Sequence, residues 1–255
     1  LLTQEALGTL YVLCVRSTPG WPCFVEVLRY GVTFGCRLTE SRQRGHKGHA
    51  QAFVIARVFI GGESVALALG DNIFYGHELT SLLKRALGQK SGATVFAYLV
   101  KDPQRYGVVE FDARGKAVSI EEKPSVPKSR YAVVGLYFYD SRVVDIAAGL
   151  KPSARGELEI TDINRAYLAR GELDVIPMGR GLAWLDTGTH ESLLDASQFI
   201  ETIERRQGLK IACLEEIAYR NGYINASQLE ALAKPLEKSG YGEYLLRVLS
   251  ERVFE

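Results

Sequence analysis

The chain has 255 residues, of which 47% are apolar and 24% are charged, and its formal net charge is +1. This balance excludes a strong overall attraction to nucleic acid or to an anionic membrane. No apolar run reaches the roughly 18 residues that a membrane span requires. None of the four cysteines lies in a C-x-x-C pair, so we expect no disulfide framework. A reducing, cytoplasmic compartment is the expected location.

The first 50 residues differ from the rest of the chain. They contain no aspartate and three of the four cysteines, and neither a strand nor a helix period can be followed through residues 16–50. Residues 6–15 suit a buried strand or helix, since they lack the flanks of a signal peptide. Two interpretations remain open for this region: an edge with long loops, or a truncated or altered N-terminus.

From residue 51 onward, short apolar runs alternate with segments of helical spacing. The predicted strands span residues 64–70, 93–100, 106–112, 116–123, 131–139 and 173–178. The predicted helices span residues 78–87, 143–146, 161–170 (capped by Thr161) and 190–206, with Leu193 and Ala196 on the buried stripe of the last. This alternation predicts an α/β fold whose mostly parallel sheet carries helices on both faces.

Beyond Gly208 the pattern stays helical, over residues 214–221, 226–238 and 241–252. These helices have no strands to cover, so we expect an appended helical bundle. The predicted organisation is therefore an α/β domain over residues 1–208 and a helical region over residues 209–255.

Two aspartates are the leading candidates for chemistry. Asp71 and Asp186 each follow a short apolar strand and stand beside glycine or small polar residues. Ligands bind at the carboxyl ends of strands in open α/β sheets, and two carboxylates there could hold Mg²⁺ beside a nucleotide phosphate. The alternative is that each is a turn aspartate that binds its own backbone.

Other residues near strand ends suit a sugar-phosphate ligand, and each has a structural alternative. Lys123 could bind a phosphate or pair with its acidic neighbours. Gly107, after Tyr106, could let backbone approach a ligand or simply form a turn. Trp184 could stack on a sugar or a base or pack in the core, and Glu157 could hold sugar hydroxyls or favour the start of the next helix.

Several familiar site patterns are missing from the sequence. It contains neither G-x-x-x-x-G-K-[ST] nor G-x-G-x-x-G, and His77 and His190 lack partners at metal-ligand spacing. These residues alone predict an α/β enzyme that binds a phosphorylated ligand. They do not identify the substrate.

Five ordered blocks together resemble one family. They are residues 68–77 (ALGDNIFYGH), 102–111 (DPQRYGVVEF), 121–124 (EEKP), 155–164 (RGELEITDIN) and 184–189 (WLDTGT). These blocks are similar to those of the bacterial glucose-1-phosphate thymidylyltransferases, over about residues 50–255, and the long C-terminal helical region fits that family too. The resemblance implies a Rossmann-like nucleotidyltransferase fold with a mixed, mostly parallel sheet.

The resemblance also implies a reaction and its residues. Glucose 1-phosphate and dTTP would give dTDP-glucose and pyrophosphate, in dTDP-rhamnose or related deoxysugar biosynthesis. Asp71 and Asp186 would hold Mg²⁺, and Lys123 would bind the sugar phosphate. The sugar pocket would be lined by Tyr106, Gly107, Glu122, Val133, Glu157 and Trp184, and the base would be contacted by Gln43 and Gly48.

The family is often a homotetramer with a second nucleotide site that the pathway product regulates. By resemblance, Gly76, Arg180 and Arg220 would contribute to that site.

One feature of the family has no counterpart here. Its opening Gly-rich loop, approximately L-A-G-G-x-G-T-R-L-x-P followed by a lysine, matches nothing in residues 1–50. Because loss of such charges at a transferring phosphate costs on the order of 10³-fold in rate, we expect impaired activity. A sugar-nucleotide binder without turnover, or a broken gene product, is the alternative, and a related uridylyl- or cytidylyltransferase is less favoured.

Overall fold

The computed structural model describes residues 2–4, 10–16, 36–43, 45 and 47–251. The predictions that concern residues 17–35, including Cys23, lie outside this part of the chain. No helix in the described part combines the length and the apolar character needed to cross a membrane.

Eleven strands are described, and most of those predicted after residue 50 are present within a few residues of their expected bounds. The strands are β1 (Leu2–Gln4), β2 (Leu10–Arg16), β3 (Cys36–Arg42), β4 (Val65–Ala68), β5 (Asn72–Gly76), β6 (Ala93–Leu99), β7 (Gly107–Phe111), β8 (Ala117–Glu122), β9 (Tyr131–Tyr139), β10 (Leu173–Pro177) and β11 (Leu182–Asp186).

Nine α-helices are described, with two short 3₁₀ segments at Pro103–Arg105 and Lys234–Leu236. The helices are α1 (Gln51–Ile55), α2 (Arg57–Ile60), α3 (Leu79–Leu87), α4 (Val143–Ala148), α5 (Ile160–Ala169), α6 (His190–Gln207), α7 (Leu214–Arg220), α8 (Ala226–Ala233) and α9 (Gly240–Ser250).

The main sheet is mixed, as predicted. Among the described strands it runs in the order β10-β6-β9-β4-β1-β2-β3, with β7 and β8 attached beside β9, while β5 and β11 form a separate two-stranded sheet. β6 and β10 are parallel, whereas β9 is antiparallel to β4, β6 and β7. Antiparallel pairing is more extensive than the alternation of strands and helices suggests, because β9 inserts between β4 and β6.

The chain divides into two compact units, the first comprising residues 1–20 and 39–185 and the second residues 21–38 and 186–255. The division at residue 208 stays a prediction. In the first unit, neighbouring residues of β6 lie in different cores: Val95 belongs to one cluster with Phe53 of α1, and Phe96 to another with Ala86 of α3. Since side chains alternate along a strand, helices cover both faces of the sheet.

The second unit has a helical core of its own. Leu229 and Leu245 are fully buried within it, so the helical region is confirmed. Two details differ from the sequence interpretation. Leu193 is 51% exposed and does not belong to the buried stripe of α6, and the helix expected over residues 226–238 ends at Ala233 before a 3₁₀ turn that contains Pro235.

A buried carboxylate, that of Asp140, stabilises the end of β9 through several hydrogen bonds. Asp140 accepts hydrogen bonds from the Gly92 amide at 2.6 Å and the Tyr167 hydroxyl at 2.7 Å, and it pairs with the Arg142 guanidinium. Burial alone would raise the pKa of Asp140, but the hydrogen bonds from Arg142, Gly92 and Tyr167 outweigh it and hold the pKa below the usual value. This group therefore contributes stability in its charged form.

Candidate functional site

The predicted sugar-pocket residues meet at the start of β7. Gly107 lies opposite Glu122 of β8 in the strand register. A methyl group added at Gly107 would lie 3.1 Å from the Thr161 hydroxyl, 3.5 Å from a Glu122 carboxylate oxygen and 3.8 Å from Val133. The absence of a side chain at Gly107 therefore leaves room between these three residues. That its backbone approaches a ligand stays a prediction.

Lys123 follows Glu122 in a conformation that few non-glycine residues adopt. Its φ is +42°, and its backbone amide donates to the Tyr106 carbonyl at 3.0 Å. Left-handed backbone at a residue with a side chain costs free energy and is concentrated at functional sites. The exposed side chain of Lys123 is thus held by its backbone at the edge of the Gly107 cluster.

Aromatic rings form a wall next to this cluster. The Tyr106 and Trp184 rings pack edge to face with centroids 5.0 Å apart, and the Tyr98 and Trp184 rings pack in the same manner with centroids 6.0 Å apart. The Tyr98 hydroxyl also donates to the Leu182 carbonyl at 3.1 Å. Edge-to-face pairs of this kind fix ring orientation, so the indole of Trp184 has a defined position.

One guanidinium lies among three carboxylates. Arg155 approaches Glu122 at 3.3 Å and Glu157 at 3.6 Å, and it donates to both oxygens of Glu159 at 2.9 Å. Glu159 is only 7% exposed and also accepts from the Ser153 hydroxyl. The hydrogen bonds that Arg155 donates to Glu159, followed by the negative charges of Glu159, Glu157 and Glu122, raise the pKa of Arg155. Arg155 therefore orients both predicted sugar-pocket carboxylates, Glu122 and Glu157.

The role expected of Thr161 was wrong. The N-cap of α5 is Glu159, which makes no side-chain capping bond, and Thr161 lies inside the helix. Its hydroxyl donates to Glu122 instead. Glu122 is 39 residues away in sequence, and its charged carboxylate is a strong acceptor for this hydroxyl.

Asp71 is connected to the aromatic wall through its neighbour. The Asn72 side-chain amide donates to Asp71 at 2.7 Å, and its oxygen accepts the Trp184 indole N–H at 2.6 Å. Burial, followed by the negative charges of Glu122 and Asp71, raises the pKa of Tyr137 well above its ordinary value. The negative charges of Asp71 and of Glu122 thus both raise the pKa of the same buried tyrosine of β9.

Asp186 stands at the end of β11, where its carboxylate accepts the Gly188 amide at 3.0 Å. This is the turn geometry that the sequence left open as an alternative. Within the described residues no group of three or more His, Cys, Asp or Glu side chains could enclose a metal ion. Mg²⁺ is commonly held by one or two carboxylates together with substrate phosphates and water, so a carboxylate such as that of Asp71 is the type of ligand that this ion takes.

The two residues predicted to contact the base lie together. Gln43 is buried and donates to the Gly48 carbonyl at 3.2 Å and to Gln51 at 2.7 Å. Gly48 has a φ of +88°, and a methyl group there would lie 2.3 Å from the Leu158 carbonyl oxygen. Backbone hydrogen bonds from Leu158 to Lys47 and from Ala50 to Leu158 hold this segment beside the irregular stretch that carries Glu157.

The predicted regulatory residues fall in both units. Gly76 has a φ of +154° and leaves no room for a side chain, since an added methyl would lie 2.5 Å from the Gly181 carbonyl oxygen. Arg180 directly precedes this contact and is exposed. Arg220, in the second unit, donates to Glu216 at 2.7 Å.

No role was predicted from the sequence for Arg155 or Asn72. A signal was present for each: Arg155 precedes two glutamates in RGELE, and Asn72 follows a candidate metal ligand. Neither signal identifies its partners, because Glu122 and Trp184 are distant along the chain.

Comparison with known proteins places these residues in context. The sequence profile of the nucleotidyl transferase family matches residues 7–203. The match therefore extends into the first 50 residues, which the five motif blocks do not reach.

Curated relatives cover nearly all of the chain. A glucose-1-phosphate thymidylyltransferase of Neisseria meningitidis serogroup A is 57% identical over 96% of this chain and 85% of its own length. A glucose-1-phosphate thymidylyltransferase of Mycolicibacterium smegmatis is 56% identical over 98% of this chain and 86% of its own length.

Solved structures share the fold. One assigned as a glucose-1-phosphate thymidylyltransferase of Bacillus anthracis, in complex with sucrose, is 42% identical, covers 73% of this chain and 74% of its own, and has a TM-score of 0.66. A UDP-glucose pyrophosphorylase in complex with UDP-glucose has a TM-score of 0.60 at 22% identity, over 73% of this chain and 80% of its own, which indicates a common fold alone.

Proposed function

Because the chain belongs to the nucleotidyl transferase family, we propose that it transfers a thymidylyl group from dTTP to glucose 1-phosphate. The products are dTDP-glucose and pyrophosphate. The observation that carries this proposal is the convergence of Gly107, Glu122, Val133 and Thr161 beside the Tyr106–Trp184 wall, in a chain more than half identical to thymidylyltransferases.

The reaction forms one phosphorus–oxygen bond and breaks another. A phosphate oxygen of glucose 1-phosphate attacks the α-phosphorus of dTTP, and the bond from that phosphorus to the oxygen bridging to the β-phosphate breaks, so that pyrophosphate leaves with its electron pair. Such transfers depend on positioning and on charge stabilisation. The protein therefore has to align two anions and offset their repulsion.

Each side chain then has a role that its geometry supports. Lys123 places its ammonium against the sugar phosphate as a point charge. Glu122 and Glu157, oriented by Arg155, accept hydrogen bonds from sugar hydroxyls. Trp184 presents its indole to the sugar face.

The same proposal assigns Mg²⁺ to Asp71 and Asp186. When bound, the cation would neutralise nucleotide phosphate charge. The support is the chemistry of two carboxylates at strand ends, together with the carboxylate-orienting amide on Asp71. Gln43 and Gly48 are proposed to contact the base, on the weaker ground of resemblance.

Pyrophosphate release by the purified chain, with glucose 1-phosphate and dTTP, tests the reaction. We expect pyrophosphate release that requires a divalent cation. The rate should fall at least about tenfold in Lys123→Ala, which corresponds to about 1.4 kcal/mol of phosphate binding, and should be unchanged in Lys238→Ala. Equal rates in both variants would contradict the site. Faster release with UTP or CTP than with dTTP would point to the uridylyl- or cytidylyltransferase alternative.

A second candidate is a sugar-nucleotide binder without turnover. Binding of dTDP-glucose with a Kd near micromolar and no pyrophosphate release would support the binder, and absence of both would support a non-functional product.

The family resemblance carries further proposals. They are a role in dTDP-rhamnose or deoxysugar biosynthesis in the cytoplasm, a homotetramer, and a regulatory nucleotide site that includes Gly76, Arg180 and Arg220. Sedimentation velocity tests the tetramer, and product inhibition in Arg220→Ala tests the regulatory site.

A further inference from the structure

The side-chain amide of Asn72 has an orientation that the structure determines. Its oxygen accepts two hydrogen bonds, from the Trp184 indole N–H at 2.6 Å and from the Gly135 backbone N–H at 3.1 Å. Both of these groups can only donate. The oxygen must therefore face them, and the amide nitrogen must face the other way.

That nitrogen points at the candidate cation ligand. Asn72 Nδ2 donates to Asp71 Oδ1 at 2.7 Å. A flip of the amide would set its oxygen against the Asp71 carboxylate and leave two N–H donors facing an NH₂ group, so three favourable contacts would be lost together. The carboxylate of Asp71 is thus oriented by a neighbour that is itself fixed from two sides.

The backbone of β9 makes room for this arrangement. A methyl group at Gly135 would lie 2.6 to 2.7 Å from the Cγ, Nδ2 and Oδ1 atoms of Asn72. Glycine inside a strand often marks such a close approach. Gly135 is in the middle of β9, so the packing between Asn72 and the sheet is tight.

We propose that Asn72 is a positioning residue that orients the Asp71 carboxylate for a divalent cation and links it to the sugar-facing indole of Trp184. This inference rests on the proposed function. It assigns to Asn72 no contact with substrate. Outer groups that orient ligating side chains typically change metal affinity by about 10- to 100-fold when they are removed.

Three substitutions disturb the arrangement independently. Asn72→Ala removes the amide, and Gly135→Ala displaces it while keeping its chemistry. Trp184→Phe keeps an aromatic ring but removes one of the two donors that fix the amide. Two controls match them: Asn225→Asp keeps a helix N-cap acceptor, and Gly149→Ala adds a methyl only at ordinary contact distances, 3.5 to 3.6 Å.

The readout is binding of Mn²⁺, measured by electron paramagnetic resonance on the purified full chain with saturating dTDP-glucose. We expect the Mn²⁺ Kd to rise about tenfold in Asn72→Ala and Gly135→Ala and less in Trp184→Phe, with no change in the controls. A purely structural role would lower the melting temperature without changing this Kd.

The outcomes separate the two proposals. If the unsubstituted chain binds Mn²⁺ and all three variants bind it equally well, the positioning role of Asn72 is refuted while the cation site stands. If the unsubstituted chain binds no Mn²⁺, or if Asp71→Asn binds it as tightly as the unsubstituted chain does, the proposed cation site is wrong and the positioning role fails with it.

Discussion

Replacing Arg155 by methionine tests whether one guanidinium holds the sugar-pocket carboxylates in place. Methionine keeps much of the apolar stem and removes the charge. The acid most affected is Glu159, whose side chain is 9% exposed and which would lose two hydrogen bonds of 2.9 Å. Glu122 and Glu157 would lose longer contacts, at 3.3 and 3.6 Å.

The size of the effect follows from these environments. Removing one partner of a buried ion pair typically costs about 3–5 kcal/mol. The Arg155 side chain is 43% exposed, and water therefore screens part of the interaction. Glu159 also keeps the hydroxyl of Ser153. We therefore expect Arg155→Met to lower the free energy of unfolding by about 2 kcal/mol.

Urea unfolding of Arg155→Met, Glu159→Gln and the double variant measures the coupling between the two side chains. We expect Arg155→Met to cost at least about 1 kcal/mol less when Glu159 is already neutral. Arg205→Met serves as the control, since its pair with Glu201 lies in solvent, with side chains 67% and 61% exposed, and should contribute less than about 1 kcal/mol. Additive effects of Arg155→Met and Glu159→Gln, within about 0.5 kcal/mol, would show that the two side chains are not coupled.

Two further predictions concern the sugar pocket and pH. Gly107→Ala brings a methyl to 3.1 Å from the Thr161 hydroxyl and should weaken the binding of dTDP-glucose, measured by calorimetry, by roughly tenfold, or about 1.4 kcal/mol. Gly240→Ala, where an added methyl meets nothing within 4 Å, should leave this affinity unchanged. Equal affinity in both variants would contradict the crowding at Gly107. Asp140→Asn should destabilise the protein at pH 7: because the folded pKa of Asp140 is held below its usual 3.8, its stabilisation is complete above that value and is lost as the pH falls through the folded pKa. The difference in urea midpoint from the unsubstituted protein should therefore shrink below about pH 4, and a difference independent of pH would contradict the assignment.

The secondary structure after residue 50 was largely predictable because apolar periodicity carries it. The strand runs at residues 93–100 and 131–139 became β6 and β9, and the helices before and after them formed close to their expected bounds. The order of the strands in the sheet could not be predicted from the sequence. The antiparallel insertion of β9 between β4 and β6 depends on contacts across the whole sheet, which local patterns do not encode.

The residues of the candidate site were chosen from sequence motifs, whereas the hydrogen bonds between them could not be predicted. The EEKP and WLDTGT blocks identified Glu122, Lys123 and Trp184. The hydroxyl of Thr161 was assigned to a helix cap because capping is a local rule, whereas its actual partner, Glu122, comes from another strand. In the same way, the donors that fix Asn72 come from positions 63 and 112 residues further along the chain.

Calorimetric titration of the chain with dTDP-glucose tests most directly whether the pocket beside Gly107 recognises a sugar nucleotide. We expect saturable binding with a Kd of about 1–100 μM, equivalent to roughly 5.5 to 8 kcal/mol. We also expect clearly weaker binding by Glu122→Ala, because this variant lacks the carboxylate that contacts the ligand and Arg155. No detectable heat of binding, or equal affinity in Glu122→Ala, would contradict this expectation.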